Sequence, residues 1–171
     1  MTQMIPAWRE GRLQPVEKLQ VHREGLRHLA VSVFVNHRET TLIQRRADGK
    51  YHTPGCWANA CCTHPAWGEA PEDCARRRVG EELGLKVGPL RHRGQVTYRA
   101  DVGGGLIEHE VVEIFSAELP EPVEPRPDPD EVSQTRWITW DALEGEIAAA
   151  PERFVPWLRI YLADHRALLT G

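Results

Sequence analysis

No stretch of this chain is apolar for long enough to cross a bilayer. Its longest apolar run, Leu29 to Val35, is interrupted by Ser32 and falls far short of the roughly 20 residues that a spanning helix needs. Charge of one sign is also lacking in any excess. Lys and Arg total 21 against 25 Asp and Glu, a net charge of −4, which argues against a globally basic partner of nucleic acid or of a membrane surface. A local basic pocket stays compatible with that balance. Cysteine is scarce, and Cys56, Cys61, Cys62 and Cys74 are crowded into one segment. That crowding makes a poor disulfide framework. Without a C-x2-C pair, a zinc module built from these four and His64 is disfavoured. The opening MTQMIPAWREG lacks the basic-then-apolar order of an export signal, so reduced thiols in a cytoplasm are expected. There is no internal repeat, and 171 residues suit a single domain, 1–171, that needs no staple to fold.

What is present reads as alternating strands and helices. His28–His37 is Val-rich and partly alternating, as a strand should be, and Thr40–Ala47 reads as its hairpin partner across Arg38 and Glu39. Residues 48–60 hold Gly, Pro and Asn and read as a loop covering something, since Tyr51 and Trp57 should not be left in water. A helix is predicted from Pro71, with Glu72 and Asp73 in its first turn and Gly84 as its stop. Residues 94–100 and 107–119 flank Gly103-Gly104-Gly105 as a long hairpin. The five-proline stretch 120–130 reads as a stiff loop, 131–140 as a strand, and the remainder as two helices separated by Pro151. This mixed order predicts an α/β or α+β fold with a mixed sheet.

Three groups of residues could carry chemistry. Cys61-Cys62-Thr63-His64-Pro65 lies between the aromatic loop and the predicted helix start, a position that favours a thiolate. Glu108 and Glu110 are two apart on a predicted strand and so share a face. Two carboxylates side by side on a half-buried face are costly unless a cation lies between them. With His22, His28 and His64 they could supply a closed N/O shell for one divalent metal. On the helix, Glu69, Arg77, Arg78, Glu81 and Glu82 beside a Gly/Pro loop suit a diphosphate carrying Mg²⁺.

The span Thr63 to Leu85 resembles the Nudix helix pattern, G-x5-E-x7-R-E-U-x-E-E-x-G-U with U a bulky aliphatic residue. Glu69, Arg77, Val79, Glu81, Glu82, Gly84 and Leu85 fit, whereas Thr63 replaces the first Gly and Arg78 replaces the Glu after the Arg. NACCTHP ahead of WGE, the EHE strand, RRADGKYHTPGCWAN and PWLRIY extend the likeness from about His22 to Tyr161, and together they resemble type I isopentenyl-diphosphate isomerases. The resemblance implies a Nudix-like mixed sheet sandwiched between helices. It implies catalytic Cys62, framed by Asn59 and His64, with no role for Cys61. It implies Glu110, assisted by Tyr98, as proton donor, and Cys62 as a thiolate base. The implied metal ligands are His22, His28, His64, Glu108 and Glu110, holding one Mn²⁺, Zn²⁺ or Fe²⁺. Arg46, Lys50 and Arg78 would bind the diphosphate, Glu82 would hold its Mg²⁺, and Trp157 would face a carbocation. The implied reaction interconverts isopentenyl and dimethylallyl diphosphate in a cytoplasmic monomer with a small-molecule partner only. The alternative implied by the Nudix helix alone is a pyrophosphohydrolase, which needs the Glu that Arg78 displaces.

Overall fold

A computed structural model describes residues 2–170. The chain opens with a hairpin, β1 (Met4–Arg9) and β2 (Arg12–Glu17), then a short helix α1 (Lys18–Glu24). Glu17 caps that helix by accepting from the backbone N–H of Leu19 and Gln20. There follow β3 (Arg27–His37), β4 (Thr40–Arg46), β5 (Trp57–Asn59), β6 (Cys61–Thr63), α2 (Pro71–Leu83), β7 (Arg91–Gly103), β8 (Leu106–Glu118) and β9 (Val132–Thr139). The chain ends in α3 (Trp140–Ala149), a 3₁₀ turn, α4 (Pro156–Asp164) and α5 (Arg166–Thr170). No helix among the described residues is long and apolar enough to cross a membrane.

The expected mixed sheet is there. β3 is its spine, running parallel to β8 over Arg27 to Asn36 and antiparallel to β6. β7 continues the sheet beyond β8, and β4 links β3 to β5 and β9. Alternation along β3 divides the core. Val31, Val33 and Val35 face α2 with Cys61, Cys74, Val79 and Leu83, while Ala30 and Phe34 face Trp140, Trp157 and Tyr161 of the C-terminal helices. The sheet is therefore sandwiched between α2 on one side and α3 and α4 on the other. Burying both faces explains why β3 reads as a nearly continuous apolar run.

Three readings need correction. Residues 48–60 are not all loop, because Trp57–Asn59 forms β5 and pairs with β4. A three-residue strand is too short to show a period. Trp57 is buried as expected, but Tyr51 is 41% exposed. The N-terminal hairpin had no predicted element, since Pro6 and Pro15 interrupt its pattern; the two prolines lie opposite each other in the register.

α2 ends as its sequence requires. Gly84 has φ +64° and caps the helix through its N–H to the Gly80 carbonyl. A Cβ there would also stand 2.6 Å from the Arg126 carbonyl oxygen. The proline-rich loop is thus docked rather than free: Arg126 and Asp128 donate their backbone N–H to the carbonyls of Leu83 and Glu82.

Candidate active site

One rung of the sheet builds the centre. His28 of β3 is the register partner of Glu110 on β8, and Glu110 is the partner of Tyr98 on β7. On the other side of β3, Ser32 stands opposite Cys62 of β6. The helix α1 brings His22 over this rung, and the turn after β6 brings His64.

The three histidines converge. His22 and His28 ring centroids are 4.9 Å apart, and His22 and His64 5.1 Å. His22 donates Nδ1–H to the Lys18 carbonyl at 2.6 Å, and His28 donates its own to the Leu26 carbonyl at 2.8 Å. Each therefore turns its Nε2 inward, that of His22 without a partner and that of His28 to 3.4 Å from Glu110 Oε1. His28 Nε2 lies 3.2 Å from His64 Nε2, which is 2.9 Å from Glu110 Oε1. All these side chains are buried. Burial drives His22 down to about 4 and His64 well below the ordinary histidine value, so neutral imidazoles face the centre at neutral pH.

A divalent cation fits this donor set. His22 Nε2 is buried without a hydrogen-bond partner. Two imidazole nitrogens point at one another, and the single Tyr98 hydroxyl proton stands 2.6 Å from Glu108 and 2.7 Å from Glu110. One proton cannot serve two carboxylates fully, and positive charge among them removes the conflict. His22, His28, His64 and Glu110 form one group with metal-ligand proximity, and His22, His52 and Glu108 form another.

Cys62 sits at the other wall. Its S–H donates to Asn59 Oδ1 at 2.9 Å, and the Trp157 indole N–H donates to its sulfur at 2.9 Å. Asn59 is fixed by donating to the carbonyls of Val33 and Cys61. Burial pushes the Cys62 thiol up to about 12, against the smaller opposing effects of the Ser32 and Trp157 hydrogen bonds. Burial therefore favours the neutral thiol over the thiolate expected from the nearby helix start. Glu110 behaves in the opposite sense. Burial alone would raise its carboxyl, but His28 and the Tyr98 hydroxyl hold it below the usual range. Trp157 also presents its ring to the Arg46 guanidinium at 5.5 Å.

Cations line the mouth of the cleft. Arg46, Lys50 and Arg78 meet there as expected, with Glu82. Arg78 bonds Glu82 at 2.7 Å and Glu131 at 3.2 Å, and Lys50 pairs with Glu131. Arg46 is buried with its Nε unpartnered. By contrast Arg76 and Arg77 lie outside the cleft on the exposed face of α2, where Arg77 clamps Glu69 and Glu81. Lys18 and His52 are among the lining residues that the sequence did not point to. Lys18 lies one turn before His22 on α1, a spacing that places both on one helix face. Burial, then the charges of Lys50 and Arg78, push it down to about 8. His52 lies in the Gly/Pro loop, where no period assigns its direction. The zinc module is not assembled: none of the metal-capable groups among the described residues contains a cysteine, and all four thiols are free.

The sandwich and its carboxylate-bearing α2 define a NUDIX domain, and the NUDIX family model matches residues 26–158. A Deinococcus radiodurans protein has the same fold, with a TM-score of 0.75 at 16% identity over 96% of this chain and all of its own. A MutT NUDIX hydrolase from Burkholderia pseudomallei gives 0.63 at 23% identity over 81% of this chain and 98% of its own. A Rhodobacter capsulatus isopentenyl-diphosphate Delta-isomerase is 62% identical over 98% of this chain and 95% of its own length. Another from Cereibacter sphaeroides is 61% identical over 100% and 97%. The chain belongs to the isopentenyl-diphosphate Delta-isomerase family of the NUDIX superfamily.

Proposed function

We propose that this protein interconverts isopentenyl and dimethylallyl diphosphate by protonation and deprotonation through a tertiary carbocation, as a cytoplasmic monomer. The observation that carries this reading is a half-buried thiol and a buried carboxylate, Cys62 and Glu110, lining one cleft with four cations, Lys18, Arg46, Lys50 and Arg78.

Moving the double bond by one position requires a proton at the terminal alkene carbon and the loss of one from the carbon next to the diphosphate-bearing carbon. That needs an acid, a base and the exclusion of water that would trap the cation. In the resting arrangement the proton of the pair is on sulfur. Cys62 then donates to the alkene and Glu110 removes the proton, reversing the order expected from the motif alone. The product leaves a thiolate and a carboxylic acid, and a proton shift between them restores the resting pair. Tyr98 holds Glu110 through its hydroxyl, and Trp157 and Asn59 hold the sulfur.

A metal on His22, His28, His64, Glu108 and Glu110, being Mn²⁺, Zn²⁺ or Fe²⁺, would supply the positive charge that lets two carboxylates share a dry pocket. Glu82 would meet Mg²⁺ brought in with the diphosphate, while the four cations bind its oxygens.

A pyrophosphohydrolase would need a carboxylate where Arg78 stands, and Arg78 instead neutralises Glu82. Incubation with isopentenyl diphosphate, Mg²⁺ and Mn²⁺ should yield the allylic isomer without phosphate release. Release of phosphate or of the monophosphate, with no isomer, would overturn the reading.

A further inference from the structure

We propose that His52 is a positioning residue for Glu108, held in place by Thr53, and not a further ligand of the metal. The inference rests on the reading of His22, His28, His64, Glu108 and Glu110 as a metal site, and it asks what the fourth buried histidine of the cleft is for.

Every Nε2 but that of His22 lies near a carboxylate, and His64 Nδ1 has no partner, so it is the Nδ1 partner that separates His52 from His22 and His28. In His22 and His28 the Nδ1 faces a backbone carbonyl, at 2.6 and 2.8 Å. A carbonyl only accepts, so Nδ1 carries the hydrogen and Nε2 offers a lone pair, as in a ligand. His52 is arranged the other way. Its Nε2 lies 3.0 Å from Glu108 Oε1, and its Nδ1 lies 3.0 Å from Thr53 Oγ1. Toward the carboxylate, Nε2 carries the hydrogen. Nδ1 is then an acceptor, and the Thr53 hydroxyl supplies its donor. In this tautomer both nitrogens have protein partners, which sets His52 apart from His64, whose Nδ1 has none, although His22, His52 and Glu108 are close enough to form a metal-capable group.

Glu108 needs this donor. It is 3% exposed, and its other oxygen shares the one Tyr98 hydroxyl proton with Glu110. A buried carboxylate without a secured partner is costly and free to reorient. With His52 on Oε1 and Tyr98 on Oε2, the plane of the Glu108 carboxylate is fixed before any cation arrives. His52 is itself 5% exposed, stacked 5.8 Å from His22, with its carbonyl accepting from Arg46 at 3.1 Å.

The backbone gives an independent sign. Thr53 has φ +45°, a left-handed conformation that a β-branched residue rarely adopts. Such strain persists where the surroundings over-determine it, and it gathers at functional sites. A glycine would relax this turn. The threonine there supplies the hydroxyl that fixes the His52 tautomer.

The test uses Co²⁺ as the probe, with affinity read by competition against a chelator, the visible absorption of the bound ion, and the melting temperature of the metal-free protein. His52→Ala should weaken Co²⁺ binding about 10- to 100-fold, the usual effect of removing a group that orients a ligand. His52→Gln, which keeps an N–H near the Nε2 position, should restore most of that loss with an unchanged Co²⁺ spectrum. Thr53→Gly should weaken Co²⁺ binding without lowering the metal-free melting temperature, a split that a merely structural role would not give. Parental affinity in His52→Ala would overturn the proposal, and so would a His52→Gln variant as weak as His52→Ala. A His52→Gln spectrum showing a lost nitrogen donor would make His52 a ligand and overturn it as well. If His52→Ala does not fold, the glutamine and glycine variants decide. Failure of the parent protein to bind Co²⁺ at all would instead remove the metal reading on which the proposal stands.

Discussion

Cys61 and Cys62 are neighbours in the chain but belong to opposite faces of the sheet. Cys61 is fully buried against α2, whereas Cys62 looks into the cleft between Asn59 and Trp157. Cys62→Ser and Glu110→Gln should each lower turnover at least about a thousandfold, within the range for an acid–base group. Cys61→Ala should keep parental turnover and lose only stability. A substrate-protected alkylation of the parent that persists in Cys61→Ala and vanishes in Cys62→Ser would complete the comparison; loss of activity on Cys61→Ala alone would shift the site to the other face. Lys18 offers a different kind of test. Crowded by Lys50 and Arg78, it is a cation short of an anion. Lys18→Met should raise KM roughly 10- to 100-fold, the worth of one charge-assisted hydrogen bond, with kcat less affected. An unchanged KM would remove Lys18 from the diphosphate site.

At the level of elements, α2 depends on its last residue. Gly84→Ala combines a left-handed φ with a Cβ 2.6 Å from the Arg126 carbonyl oxygen, so the helix end and the proline-rich loop must part. A loss of about 2 kcal/mol or more is expected, or roughly 4–8 °C in melting temperature for a domain of this size. Gly68 supplies the control, since it also has positive φ but nothing within 4 Å of a Cβ, and Gly68→Ala should cost distinctly less. Equal losses from the two would mean that the loop contact contributes nothing. α2 was legible because Pro71, Glu72, Asp73 and Gly84 each mark a helix end by a local mechanism, and the β7–β8 hairpin because three glycines separate two apolar runs. β5 and β6 were not, since three residues carry no period. Likewise Glu108 and Glu110 could be placed on one face by alternation alone. The convergence of His22, His28 and His64 came only from the family likeness, because long-range strand pairing decides it. His52 fell outside both: its loop has no period, and its partner is 56 positions away.

For the whole molecule, the buried histidines tie stability to acidity. An unfolded histidine titrates near 6.5, whereas burial holds His22 down at about 4 and His64 well below its ordinary value. Between those values the unfolded chain binds protons that the folded chain refuses, so stability falls as pH falls; for His22 the full effect is roughly 3 kcal/mol. His28, raised by Glu110, works in the opposite sense and offsets part of this. The melting temperature of chelator-treated protein should therefore drop between pH 7.5 and 5, and Mn²⁺ or Zn²⁺ at pH 7.5 should raise it by binding the folded form alone. A flat profile would contradict the burial-driven shifts. The parallel pairing of β3 with β8 has a further consequence during synthesis. All three histidines leave the ribosome before either carboxylate, and β3 waits for its long neighbour until residue 118 has been added. A nascent chain stopped short of β8 lacks both carboxylates of the proposed metal site and the parallel partner of β3, so truncated translation products should emerge unable to hold a metal there and open to proteolysis.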